Sequence, residues 1–222
     1  MSFNETTLRG TISLAELSNK VDDKNRSAVD DDYESVSRCQ RGDTNAFEVL
    51  VKRHQKKMLN IAYRMTGDYE EACEIVQEAF LSAYKAIKKF RGESKFSTWL
   101  TGITVNHAKN RLKQIKSRSF HEGTSIDDPV ETEGGRFAYE PESREATIIE
   151  QLERKEVQEK VQKCINSLDE EYRKVLVLRD IQGFSYEEIC DILKIPDGTI
   201  KSRLFRARDT LKNCLKKVLG DI

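Results

Sequence analysis

The chain has 222 residues, with 38 basic and 38 acidic side chains that cancel to no net charge, and 34% of it is charged. That length suits one or two small domains, and no apolar run approaches the roughly 18 residues that a membrane-spanning helix needs. Asn4, Glu5 and Arg9 interrupt any apolar stretch of the kind a signal peptide requires, so the expectation is a soluble, intracellular protein with no membrane insertion of its own.

Residues 1–32 are polar and end in three consecutive aspartates. Ile12, Leu14, Leu17 and Val21 have the spacing of a short amphipathic helix, but chain ends with few apolar residues fray, so a flexible N-terminal extension is expected. From Tyr33 to about Lys116 the pattern is helical throughout. Phe47, Leu50, Val51, Met58, Leu59, Ile61 and Ala62 recur at helical spacing. Thr66-Gly67-Asp68 ends that helix, and Asp68 can cap the next one, whose apolar side is Ile75, Val76, Ala79, Phe80, Ala83 and Ile87. Arg91 to Lys95 forms a loop, and Ser97 or Thr98 starts a helix carrying Trp99, Leu100, Ile103, Val105 and Leu112. No segment alternates at period two over a useful length, so no sheet is expected.

Residues 117–145 are poor in apolar residues and rich in acids, Gly and Pro, the composition of a flexible linker. Helical pattern resumes over 146–217. Val161, Ile165 and Leu168 precede a helix with Val175, Leu176 and Leu178 that ends near Gly183. Ser185 and Glu188 make a capping box ahead of the stripe Ile189, Ile192 and Leu193. Lys194 to Gly198 breaks the run, with Pro196 suited to the first turn of a new helix. In that helix Ile200, Leu204, Ala207 and Leu211 share one face, while Ser202, Phe205 and Arg206 point the other way, flanked by Thr199 and Lys201. A helix that enters the DNA major groove needs this division into a packed side and a side of donors and cations. The fold class expected is all-α: two small helical domains joined by a flexible acidic linker, the second a helix-turn-helix, each with a modest core and marginal stability alone.

Charge is segregated along the chain. Lys85 to Arg118 carries ten basic residues and the single acid Glu93, and Lys194 to Lys217 carries eight basic residues against Asp197 and Asp209. Glu122 to Glu156 is the reverse, with eleven acids and four basic residues. Two basic blocks around an acidic one point to two DNA-contacting modules and a connector that avoids DNA. The cysteines Cys39, Cys73, Cys164, Cys190 and Cys214 include no C-x-x-C pair, and His54, His107 and His121 are scattered, so neither a zinc site nor a disulfide framework is expected. No phosphate loop, metal cluster or nucleophile constellation is present, so no enzymatic activity and no cofactor are expected.

Four stretches stand out together: Glu71-Ala72-Cys73-Glu74-Ile75-Val76-Gln77-Glu78-Ala79-Phe80, Phe96-Ser97-Thr98-Trp99-Leu100 with Ile103 and Asn106, Leu168 to Arg179, and Ser185 to Arg208. In that order they resemble the extracytoplasmic-function sigma factors of the sigma-70 family. The first is similar to that family's D-A-E-D-L-V-Q-E-x-F helix and the second to its F-x-T-W-L-x-x-I-x-x-N segment. The third resembles the L-P-x-x-x-R-x-x-x-x-L-R lead-in, and the fourth the terminal helix-turn-helix. The flanking F-R-G-E-S and V-N-H-A-K-N stretches are closest to the envelope-stress type. Cys73 departs from the family's usual acid, Asp169 from its usual proline, and the N-terminal extension is longer than usual.

The resemblance implies a sigma factor that binds core RNA polymerase, recognises the minus-35 and minus-10 elements of promoter DNA and promotes melting, in the cytoplasm and under an anti-sigma factor. It places core-polymerase binding on Glu74, Gln77 and Glu78, facing the clamp helices of the largest subunit. It places the minus-10 element on Phe90, Phe96, Trp99, Asn106, Lys109, Asn110 and Lys113, with Arg111 and Lys116 beside them on backbone phosphates. Cations mixed with aromatic rings suit a melted strand. For the minus-35 element, Lys201, Ser202, Phe205 and Arg206 are candidates for base reading, and Thr199, Arg203 and Arg208 for phosphates. A helix-turn-helix repressor with an N-terminal sensing domain is the alternative, and the acidic helix and the tryptophan segment argue against it.

Overall fold

The computed structural model describes residues 31–121 and 148–220, and every regular element among them is helical. The proposed amphipathic segment at Ile12 to Val21 and most of the acidic linker lie outside the described residues. The first module contains α1 (Asp31–Gln40), α2 (Thr44–Thr66), α3 (Tyr69–Ala86) and α4 (Phe96–His121). The second contains α5 (Ile148–Asn166), α6 (Glu170–Leu176), α7 (Tyr186–Leu193) and α8 (Asp197–Leu219), with a π-helical turn over Val177–Ile181 after α6. Helix α4 therefore runs five residues past the expected end at Lys116.

Local chemistry sets the boundaries. Asp43 caps α2 by accepting from the Asn45 and Ala46 amides. Gly67 ends α2 in the left-handed region at φ 79°, and the Asp68 carboxylate caps α3 by accepting from the Glu71 amide at 2.9 Å. The capping box on α7 forms in both directions: Glu188 N–H donates to Ser185 Oγ at 3.1 Å, and Ser185 N–H donates to Glu188 Oε2 at 2.9 Å. The helix-turn-helix bend turns on Lys194, a non-glycine residue at φ 53°. Pro196 occupies the N-cap of α8, one position before its first turn. Asp169 stands at the N-cap position of α6 at φ −53° without a side-chain cap bond, and that φ is within the range that the family's proline adopts.

Asp32 holds α1 to α2 through Arg53 at 2.5 Å and His54 at 2.9 Å. Burial pushes the Asp32 carboxyl up, but the hydrogen bonds from His54 and Arg53 outweigh it and hold the group below its usual range. The first core is Leu50, Met58, Ile61, Ile75, Ala79 and Leu100, and the second is Ile165, Leu176, Leu178, Ile189, Ile200 and Leu204, all nearly or fully buried.

The two modules pack against each other with their buried apolar residues in one continuous cluster, and polar contacts also cross the boundary. Arg64 Nη1 donates to Gln162 Oε1 at 2.7 Å, Gln182 Nε2 to Asn60 Oδ1 at 3.0 Å, and Arg173 Nη1 to the Met65 carbonyl at 2.6 Å. Lys95 pairs with Glu188 at 3.3 Å, and the Lys57 ammonium sits 4.2 Å from the Phe184 ring centroid. Burial pulls Lys57 and Arg64 below their ordinary ranges. Gly67 lies so close to the Asn166 carboxamide that a Cβ would collide with it. A seam rich in polar contacts is the kind that separates and re-forms.

The cysteine expectation needs correction. Cys164 on α5 and Cys214 on α8 are joined in a disulfide across 50 residues of sequence, with 5.7 Å between their Cα atoms. Pairing required two helices to meet in space, so spacing along the chain carried no sign of it.

Candidate nucleic-acid interface

Helix α4 carries two chemistries on different sides. Trp99, Ile103, Asn106, Asn110 and Lys113 follow one another at intervals of three or four residues, which lines them along one face. Asn106, Lys109, Asn110, Lys113 and Lys116 are exposed there. At the N-terminal end the rings of Phe90, Phe96 and Trp99 form a cluster, with centroids 4.9 Å apart for Phe90–Trp99 and 5.7 Å for Phe96–Trp99. Phe90 and Trp99 are half-buried, whereas Phe96 is 3% exposed and also packs on His54. Phe96 therefore backs the cluster from the core and presents no ring to a strand.

A second side of α4 meets the acids of α3. Arg111 reaches Glu71 at 3.0 Å and Glu78 at 3.8 Å and also pairs with Glu74. His107 Nδ1 faces Glu78 Oε2 at 3.2 Å, and its Nε2 faces Ser82 Oγ at 3.0 Å. Arg111 is thus corrected from a phosphate contact to an internal brace: its side chain is only 16% exposed and is held by three carboxylates. The Ser82–His107–Glu78 row has the order of a catalytic triad but not its setting. Ser82 lies mid-helix in α3, where backbone amides are engaged by i−4 carbonyls and leave no oxyanion donors.

Glu74, Gln77 and Glu78 are exposed on α3. Gln77 lies at the rim of a groove of about 550 Å³ whose apolar walls include Phe47, Val51, Leu59 and Phe80. Leu81 and Tyr84 complete the same wall while remaining 53% and 44% exposed. These two were missed in the sequence because they fall off the apolar stripe of α3. The signal was present as the run Gln77, Leu81, Tyr84 at i, i+4 and i+7. Cys73 lines the groove, so a thiol stands there in place of the acid usual at that position.

In the second module Ile200, Leu204 and Ala207 are buried on α8, as their spacing predicts. Phe205 is 76% exposed, with Lys201, Ser202 and Arg206 exposed beside it. Their engagements differ. Among the described residues Arg206 Nη1 donates only to the Tyr172 hydroxyl, at 3.2 Å. Lys201 pairs with Asp197 at 2.6 Å, and Ser202 Oγ donates to the Thr199 carbonyl at 3.0 Å. Arg203 is drawn to Glu171, and Arg208 grips Asp180 with two bonds of 2.6 and 2.9 Å. Of the residues expected on bases Arg206 is the loosely held one while Lys201 is paired with Asp197, and the two arginines expected on phosphates are braced against α6 and the π-helical turn. Thr199 is half-buried at the start of the helix. A surface of this kind, two helical modules each with a cationic aromatic face, defines a DNA-binding protein of the two-module helical class.

The chain matches the family model for sigma-70 region 2 over residues 50–118 and that for sigma-70 region 4 over residues 158–211. It is 38% identical over 190 residues to the RNA polymerase sigma-H factor of Pseudomonas aeruginosa, covering 86% of this chain and 96% of that protein. It is 37% identical over 186 residues to the ECF RNA polymerase sigma-E factor of Escherichia coli, covering 83% and 94%. The chain belongs to the sigma-70 family of RNA polymerase sigma factors, in its extracytoplasmic-function group. The same fold occurs in the sigma factor RpoE of Bartonella quintana solved with the anti-sigma factor NepR (TM-score 0.57, 24% identity, 77% of this chain and 96% of that one). It also occurs in CnrH solved with the cytosolic domain of CnrY (TM-score 0.59, 21% identity, 85% and 99%). The protein is a non-enzymatic initiation factor for promoter recognition, and the repressor reading is not favoured. Among the described residues no helix is long and apolar enough to cross a membrane.

Proposed function

We propose a division of labour among three faces of the molecule, within domains at 33–116 and 146–217 flanked by the extension 1–32 and the linker 117–145. The groove beside Glu74, Gln77 and Glu78 takes the clamp helices of the largest polymerase subunit, with apolar contact from Leu81 and Tyr84 and carboxylates at the rim for register. Phe90, Trp99, Asn106, Lys109, Asn110 and Lys113 take the opened minus-10 strand, supported from below by Phe96. A flipped base costs a few kcal/mol to extract, which stacking and edge hydrogen bonds must return. Lys201, Ser202, Phe205 and Arg206 read the minus-35 duplex while Thr199, Arg203 and Arg208 hold its backbone. The observation that carries this reading is the stripe of Trp99, Asn106, Asn110 and Lys113 on a helix whose other side is fastened to the acids of α3.

In the packed arrangement α7 lies over the start of α4, beside Gly102 and Lys95. Reading two separated promoter elements requires the modules to part, and the polar seam can exchange its hydrogen bonds for water. The linker then supplies effective concentration for the second contact. An anti-sigma factor that binds across the modules would oppose that step. Such a partner is supported by the two fold relatives solved with NepR and CnrY. The place of action is the cytoplasm, where core polymerase and promoter DNA are found.

Run-off transcription with core polymerase on a promoter library tests the whole reading, and no transcript above core alone would end it. Within that assay Asn106→Ala should keep minus-35 duplex binding but open promoters poorly and accept more bases in the minus-10 element. Permanganate footprinting that shows normal opening with unchanged preference would remove Asn106 from the site. Gln77→Ala combined with Leu81→Ala should weaken capture of core polymerase by roughly tenfold or more, as expected when central contacts of an interface are truncated. These two side chains test the face more cleanly than charge reversal at Glu74 and Glu78, which would set lysines against Arg111.

A further inference from the structure

We propose that Cys164 and Cys214 form a reversible thiol–disulfide switch that sets how well the second module withstands heat. Cys164 lies in the last turns of α5 and is 1% exposed, and Cys214 lies near the end of α8 and is half-buried. Their Cα atoms are 5.7 Å apart, in the middle of the range that a disulfide spans without backbone movement. Cys39, Cys73 and Cys190 are free thiols elsewhere in the molecule. In a reducing interior such a pair rests as the dithiol, so the bond marks an oxidised state rather than a fixed staple.

The more accessible Cys214 is the thiol that meets the oxidant. For hydrogen peroxide, the Cys214 thiolate attacks one oxygen, the O–O bond breaks, and the departing hydroxide leaves as water after taking a proton. The resulting sulfenic acid is attacked at sulfur by the Cys164 thiolate, which forms the S–S bond and expels a second hydroxide as water. The balance is two thiols and one peroxide to one disulfide and two waters, and a dithiol reductant restores the pair by exchange.

The consequence follows from where the bond lies. It closes a loop 50 residues long that contains α6, α7 and most of α8, so it restricts the unfolded ensemble of nearly the whole module. The staple is eight residues beyond Arg206, about 12 Å along the helix axis, so it anchors the reading helix without entering its reading face. The effect on promoter reading rests on the function proposed above, whereas the switch itself does not.

The test uses the full chain treated with hydrogen peroxide or dithiothreitol. Thiol titration after denaturation should count five thiols in the reduced protein and three in the oxidised one, and peptide mapping should join Cys164 to Cys214. Oxidation should raise the melting temperature of the second module by roughly 10 °C. The shift should vanish in Cys214→Ser and persist in Cys73→Ser. Oxidised protein should bind a minus-35 duplex within about twofold of the reduced protein at room temperature, and should keep binding where the reduced protein has melted. Five free thiols after peroxide, bonds mapped to other cysteines, no thermal shift, or an equal shift in Cys214→Ser would each overturn the switch. A mapped bond and a thermal shift without minus-35 binding in either state would uphold the switch and overturn the assignment of the reading helix.

Discussion

Arg206→Ala is expected to lower discrimination for the minus-35 element by roughly tenfold to a hundredfold, the worth of one good bidentate contact to guanine at about 1–3 kcal/mol. The structure makes this arginine the best candidate among those on α8. Its guanidinium is held by one neutral hydroxyl, that of Tyr172 at 3.2 Å, so its release toward a base costs little. Arg208 would first have to give up two charge-assisted bonds to Asp180, which are stronger than bonds between neutral groups. Arg208→Ala should therefore weaken binding about equally across sequences and flatten its salt dependence, as loss of a phosphate contact does. Competition binding with a library of minus-35 duplexes at two salt concentrations separates the two outcomes. A library profile for Arg206→Ala that matches the parent protein would take Arg206 out of base recognition.

This contrast shows which parts of the site could be read from sequence. Spacing placed Ile200, Leu204 and Ala207 inside and Phe205 and Arg206 outside, because a helix alone fixes those directions. The all-helical class, the capping box at Ser185 and the bend at Lys194 to Gly198 were legible for the same reason. What spacing could not supply was the identity of partners distant in sequence. Arg111 looks like one more cation in a basic block until α3 and α4 pack and deliver Glu71, Glu74 and Glu78 to it. Phe96 looks like one of three available rings until the fold turns it inward against His54. The Cys164–Cys214 bond and the seam between the modules depend on contacts 50 or more residues apart. Leu81 and Tyr84 went unread for a different reason: they are exposed apolar residues, and a search for core stripes passes over them.

Arg173→Ala is expected to cost roughly 2–4 kcal/mol of stability, the penalty for leaving three part-buried carbonyls without their donor. The Arg173 guanidinium donates to the Leu168 carbonyl at 3.0 Å and to that of Asn166, which fixes the turn between α5 and α6. Its Nη1 donates to the Met65 carbonyl at 2.6 Å, across the seam, near the end of α2. One side chain thus organises the second module and ties it to the first. Burial pulls the guanidinium below its ordinary range, so the charge is kept at some expense, and carbonyl dipoles rather than a carboxylate receive its protons. A lysine has no rigid fork to span three acceptors, so Arg173→Lys should recover less than half of the loss. Arg64→Ala supplies the contrast, since its Gln162 contact belongs only to the seam. It should cost less on unfolding and should ease separation of the modules, raising promoter binding where Arg173→Ala lowers it. Urea unfolding monitored by circular dichroism of the helices, together with binding to a two-element promoter, distinguishes the variants. Arg173→Ala unfolding within about 0.5 kcal/mol of the parent protein, the range of an ordinary surface substitution, would show that these carbonyls find water as readily as they find the arginine.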